Sequence, residues 1–143
     1  MARQNDAMDS DRALFVGPGD AGAGDVKAAG ADTSGAFGLV ETAIPRGHSA
    51  PLHVHRHEDE GFYILNGTVD FVCGDERFRA EQGAFVYLPR GVPHSFLGVS
   101  EVEARVLVFM LPAGLEEAFA DPERFGEVFE RRHVRVVGPP LSL

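Results

Sequence analysis

From Phe37 onward the chain breaks into short runs in which apolar and polar positions tend to alternate. They read FGLVETAI from Phe37, GFYILN from Gly61, TVDFVC from Thr68, ERFRA from Glu76, AFVYLP from Ala84, HSFLGV from His94 and VEARVLVFML from Val102. A period of two marks a strand that buries one face. Turn residues separate the runs: Asn66-Gly67, Gly74-Asp75, Gln82-Gly83 and the stretch from Pro89 to Pro93. Asn66-Gly67 is a particularly strong tight-hairpin signal, because both residue types tolerate the left-handed backbone that a two-residue loop requires. Short strands at close, regular spacing predict an all-β sandwich or barrel, with its core over about residues 35–111.

The flanks read differently. Residues 1–10 are polar and are expected to be flexible. Residues 17–35 are rich in glycine, alanine and aspartate, a stretch of turns around a short strand. Helix is predicted only after Pro112, where Leu115, Ala118 and Phe119 share a face. A second helical segment starts with Asp121 as N-cap and Pro122 at the first helical position. Its Phe125, Val128 and Phe129 form another stripe, read as core packing rather than as ligand cover. With no repeats and no linker, residues 11–143 are read as one domain, with C-terminal helices and tail over 112–143.

Composition narrows the function classes. At 143 residues, 44% hydrophobic and 24% charged, the chain is an ordinary globular domain with room for one core. A net charge of −9 argues against a nucleic-acid surface, and Arg131-Arg132 reads as the positive end of a helix. No apolar run approaches membrane-spanning length, and the N-terminus lacks a signal peptide's hydrophobic region. Cys73, the single cysteine, permits no internal disulfide and points to the reducing cytoplasm. Within TVDFVC it reads as a buried, inert thiol.

Two stretches carry the chemistry. Gly47, His53, His55, Glu60 and Gly67 follow the spacing G-x5-H-x-H-x4-E-x6-G, and Gly83, Pro89, Gly91 and His94 follow G-x5-P-x-G-x2-H. His53 and His55 are two apart, so on a strand they point to the same side. Glu60 can face them from the next strand and His94 from a third. Three imidazoles and one carboxylate suit one divalent transition metal (iron, manganese, nickel, copper or zinc) and leave coordination positions open for a substrate oxygen or O2. Phe62 and Ile64 share the parity of Glu60, and Phe96 that of His94, which predicts an aromatic pocket for a flat, moderately apolar small molecule. His57, Glu58 and Asp59 are read as an exposed polar turn, and His48 and His133 as surface residues.

These two stretches resemble the paired motifs of the cupin superfamily. Their separation of 15 residues, from Gly67 to Gly83, is similar to that of single-domain bacterial cupins. GAFGLVE, HEDEGFYILNGTV, PRGVPHSF, LPAGLEEAF and VVGPPL extend the likeness to the quercetin dioxygenase-like branch. In the family the second motif usually ends in Asn, where this chain has Gly98, a change expected to weaken the strand end and spare the metal site. The resemblance implies a double-stranded β-helix (jelly-roll) barrel with a short C-terminal helical segment, and the metal ligands His53, His55, Glu60 and His94. It also implies a dioxygenase that acts on an enolic or phenolic substrate with Glu60 as catalytic base. A non-oxidative isomerase, cyclase or decarboxylase, and a non-catalytic binding module, are the alternative readings. A homodimer is expected to pair through sheet edges, with Ala13 to Val16 and the VEARVLVFML strand as candidates.

Overall fold

The computed structural model describes residues 12–20 and 25–143; the expected flexible N-terminus, residues 1–10, lies outside them. The strands are β1 (Val26–Ala28), β2 (Gly38–Ile44), β3 (Pro51–His55), β4 (Asp59–Asn66), β5 (Thr68–Cys73), β6 (Glu76–Glu81), β7 (Phe85–Leu88), β8 (His94–Gly98), β9 (Ala104–Leu111) and β10 (Val134–Pro140). They form two five-stranded antiparallel sheets, ordered β1-β2-β9-β4-β7 and β10-β3-β8-β5-β6. The two sheets make a jelly-roll sandwich. Two short helices, α1 (Glu117–Ala120) and α2 (Phe125–Arg131), lie between β9 and β10.

Alternation explains the core. In β9, Ala104, Val106, Val108 and Met110 are buried while the residues between them are not. They meet Ile64, Val69, Phe71 and Leu88 between the sheets, all fully buried. Each such side chain contributes about 1.5–3 kcal/mol of transfer free energy. Leu115, Ala118 and Val128 anchor the helices to this core.

Several expectations need correction. The turn at Asn66-Gly67 is not a hairpin, because β4 and β5 belong to different sheets and do not pair. Gly67 (φ +83°) instead carries the chain from one sheet to the other, so close to Ala104 that a Cβ would lie 2.8 Å from its Cα. The two-residue hairpin is Gly74-Asp75, where β5 pairs with β6 and Gly74 has φ +57°. Ala13 to Val16 forms no strand, and β9 is the central strand of its sheet rather than an edge.

Gly98 does not weaken its strand end. A Cβ there would come within 2.3 Å of the Pro45 carbonyl, and Gly98 exchanges backbone hydrogen bonds with Gly47 (2.9 Å) and His48 (3.0 Å). Glycine lets the backbones close.

The tail yields a strand where none was expected. Pro139 and Pro140 obscure β10, but at a sheet edge a missing N–H costs nothing. β10 pairs with β3, setting Val134 opposite His55 and Val136 opposite His53. Among the described residues, no helix is long and apolar enough to cross a membrane.

Candidate metal centre

β3 alternates so that His53 and His55 face the interior while Leu52 and Val54 are less buried. His53 pairs in register with His94, the first residue of β8. Glu60, on β4, approaches from the opposite sheet. The four side chains are buried, and each offers one ligand atom within 4.8 Å of the others. The three ring centroids stand 4.6, 5.0 and 5.1 Å apart.

Glu60 Oε1 lies 2.5 Å from His55 Nε2 and 3.1 Å from His94 Nε2. Burial alone would raise its pKa, but contact with His55 and His94 holds the carboxyl well below the usual range. Burial pulls His53 down to about 4. Burial also pulls on His55, yet Glu58 and Glu60 together outweigh it and raise the imidazole to about 9.

The donor set fits a divalent ion. Ligand atoms about 2.1 Å from one centre stand roughly 3–4 Å apart, and the four candidate atoms here lie within 4.8 Å of one another. Nδ1 of His53 donates to the Pro51 carbonyl at 2.7 Å, which leaves Nε2 as the free ligand atom. His55 Nε2 is buried without a well-formed hydrogen bond despite its nearness to Glu60. Such an atom needs a partner, and an ion shared with Glu60 would supply it.

A cavity of about 620 Å³ opens onto His53, His55 and Glu60. Its walls include Phe62, Phe96, Phe119, Phe125 and Phe129, with Val134 and Val136 of β10. Phe62 and Phe96 thus line the cavity. Ile64 does not line the cavity; it is wholly buried in the core. Sharing parity with Glu60 places a residue between the sheets, but Ile64 falls where the sheets are packed against each other rather than where the cavity opens.

Two further readings gain a second part. Phe119, Phe125 and Phe129 line the cavity, and Phe119 and Phe129 also pack against the core, in which Val128 is fully buried. Both demands select apolar residues at helical spacing, so periodicity does not separate them. His48 is exposed but also lines the cavity, tilted 5.9 Å from Phe96. His57 is exposed and points away, its ring 5.3 Å from that of His133.

The polar turn before Glu60 divides. Asp59 forms a surface ion pair with Arg90 at 3.0 Å. Glu58 is completely buried against His55 and Arg132, contrary to its solvated reading. Nothing in the local pattern marks it, because its partner Arg132 lies 74 residues downstream.

Comparison with known proteins agrees with this architecture. The Cupin domain family model matches residues 40–110. Quercetin 2,3-dioxygenase of Bacillus subtilis is 34% identical over 71 residues, which are 50% of this chain and 21% of that protein. The solved structure of TT1209 from Thermus thermophilus superposes with a TM-score of 0.52 at 29% identity, over 56% of this chain and 76% of the other. A sugar phosphate isomerase of Silicibacter pomeroyi shares the fold (TM-score 0.50, 21% identity, 55% of this chain and 52% of the other). The chain spans less than two thirds of the curated relatives it matches, 21% of one and 59% of another.

Proposed function

From the premise that the chain belongs to the cupin superfamily, we propose that it is a metal-dependent enzyme, a quercetinase-like dioxygenase of enolic or phenolic small molecules. The observation that carries this reading is the meeting of His53, His55, Glu60 and His94 with an aromatic cavity. The likeness to the Bacillus subtilis quercetin 2,3-dioxygenase supports it.

The four side chains would hold one divalent transition ion, which supplies positive charge to stabilise an ionised substrate oxygen. The chain's own groups do the remaining work. Glu60, ionised at neutral pH, accepts the proton of the substrate hydroxyl. Phe62, Phe96, Phe119 and Phe129 clasp a flat ring and exclude water. Deprotonation makes the carbon framework electron-rich toward O2, and both oxygen atoms enter the product. No Lys or Arg among the described residues lines the cavity, so a phosphate dianion bound away from the ion would lack a side-chain cation partner. This weighs against the substrate class named for the Silicibacter pomeroyi protein.

An oxygen electrode, run on protein loaded with each of the five metals against a panel of flavonols, phenols and enols, tests the proposal. Stoichiometric O2 uptake with both labelled atoms in the product is the expected result. A second reading rests on one contact pattern: Glu60 Oε1 touches two imidazoles at 2.5 and 3.1 Å, a geometry suited to carrying a proton between two positions of one substrate. Undiminished turnover without oxygen would select that isomerase, cyclase or decarboxylase chemistry instead.

The same proposal places the protein in the cytoplasm, consistent with the free, buried thiol of Cys73. It also pairs two copies, through Phe85 and Tyr87 on the edge strand β7, where both are more than half exposed. A monomer mass by light scattering across a wide concentration range would exclude the pairing.

A further inference from the structure

Glu58 is wholly buried in a turn whose neighbour His57 is exposed. Its Oε2 accepts a hydrogen bond from Arg132 Nε at 2.8 Å, and the same guanidinium donates to the Ala113 carbonyl at 3.0 Å. Its Oε1 faces His55 Nδ1 at 3.5 Å, and neither of these two buried atoms has a well-formed hydrogen bond among the described residues. Burying a carboxylate costs several kcal/mol unless its oxygens are matched. Arg132 matches one oxygen, and His55 is the group positioned for the other.

Arg132 stands at the C-terminal end of α2, directly after the helix that brings Phe125 and Phe129 to the cavity. Two residues later Val134 pairs across from His55. The ion pair thus connects the cavity cover to a candidate ligand, although neither Glu58 nor Arg132 lines the cavity.

We propose that Glu58 is a positioning residue of the metal centre, held in place by Arg132 from the covering helix. Glu58 accepts the Nδ1–H of His55, which fixes the ring tautomer that leaves Nε2 to ligate. Arg132 aims Glu58 at that ring. Ligand histidines commonly give their second N–H to a carboxylate or carbonyl, and His53 does so to Pro51. Ion affinity therefore depends on two side chains that touch neither ion nor substrate. This inference rests on the metal reading of the His/Glu cluster.

The informative variant is Glu58→Gln. Its single amide oxygen stays with the Arg132 guanidinium, which turns the NH2 toward His55 Nδ1. That donor selects the Nε2–H tautomer and blocks ligation, while side-chain volume and the Arg132 contact are kept. Co2+ titration by calorimetry, with the visible spectrum of bound Co2+ as second readout, follows the effect in Glu58→Gln, Glu58→Ala, Arg132→Gln and His55→Ala. Thermal melts identify which variants fold.

Folded Glu58→Gln is expected to bind Co2+ roughly 10–100-fold more weakly than the parent, with an altered spectrum, and Arg132→Gln to fall between the two. Parent-like affinity and spectrum in folded Glu58→Gln or Glu58→Ala would overturn the positioning role. If neither folds, the decision passes to Arg132→Gln, whose parent-like affinity would also overturn it. His55→Ala distinguishes the two levels of the argument. Unchanged Co2+ binding in His55→Ala removes the metal reading itself, whereas lost binding there with normal binding in the Glu58 variants removes only the role of Glu58.

Discussion

His94 Nε2 lies 3.1 Å from Glu60 Oε1, although β8 and β4 belong to opposite sheets. The centre therefore bridges the sandwich, and an ion held there would tie the two sheets together.

Binding to the folded state alone raises stability by about 4 kcal/mol when free ion is a thousandfold above its Kd. Adding Co2+ or Ni2+ to chelator-treated protein should raise the melting temperature by several degrees. His53→Ala and His55→Ala should lose most of that shift, whereas His57→Ala, exposed and turned toward His133, should keep it. A shift that survives His55→Ala, or vanishes in His57→Ala, would contradict the ligand assignment.

The stability of chelator-treated protein should peak near pH 6.5. His55 has its pKa raised from 6.5 to about 9 by Glu58 and Glu60, against the pull of burial. Its contribution is complete below 6.5 and is lost as pH rises through 9. His53, lowered from 6.5 to about 4 by burial, resists protonation, so stability also falls as pH drops from 6.5 toward 4. Glu60, depressed from 4.5, adds a further loss in acid below that value. With Co2+ bound, His55 has already surrendered its proton, so the alkaline loss should disappear. Melting curves from pH 5 to 9.5, with and without Co2+, check both limbs; a steady rise to pH 9 in chelated protein would refute the assignment for His55.

Much of this centre was legible in the chain because its signals are local or spaced by strand geometry. His53 and His55 share a face by a period of two, and glycine and proline mark the returns that bring Glu60 and His94 back. The rest depends on contacts that span the fold. Asn66-Gly67 signals a reversal but not whether the next strand joins the same sheet. Glu58 looks solvated until Arg132 arrives beside it. The Phe125 and Phe129 stripe has one periodicity whether it packs in a core or roofs a cavity. β10 is hidden by prolines that only an edge position tolerates.

That division between roof and core can be measured. Ile64 is fully buried among core residues and does not line the cavity, so Ile64→Ala should cost about 2–5 kcal/mol of stability. Its effect on KM in the folded fraction should be small. Phe129 is half-buried against the cavity, so Phe129→Ala should raise KM for a flat aromatic substrate about 2–10-fold, the worth of one aromatic contact. Denaturant melts and steady-state kinetics on both variants give the comparison. The cover assignment fails if Phe129→Ala destabilises the fold but leaves KM unchanged.

Glu60 is both a candidate ligand and the proposed base, and Glu60→Gln separates the two roles. Three imidazoles alone can hold a divalent ion, and the Gln amide oxygen remains as a weaker, neutral ligand, so the variant should retain much of its metal. The amide has no basic site at neutral pH. The parent carboxyl is held ionised by His55 and His94 against the opposing effect of burial, so it offers a carboxylate oxygen that the amide lacks. If it takes the substrate's hydroxyl proton, the loaded variant should lose about two to four orders of magnitude in kcat, the usual size of a general-base contribution. A residue that served only as ligand would behave differently, with activity tracking occupancy and returning when excess ion is supplied. Metal content by elemental analysis, measured beside kcat at saturating ion, tells these apart. A fully loaded Glu60→Gln protein with near-parental kcat would mean that the proton leaves by another route, and the base would then have to be sought among the other polar groups of the cavity, of which His48 faces the same space.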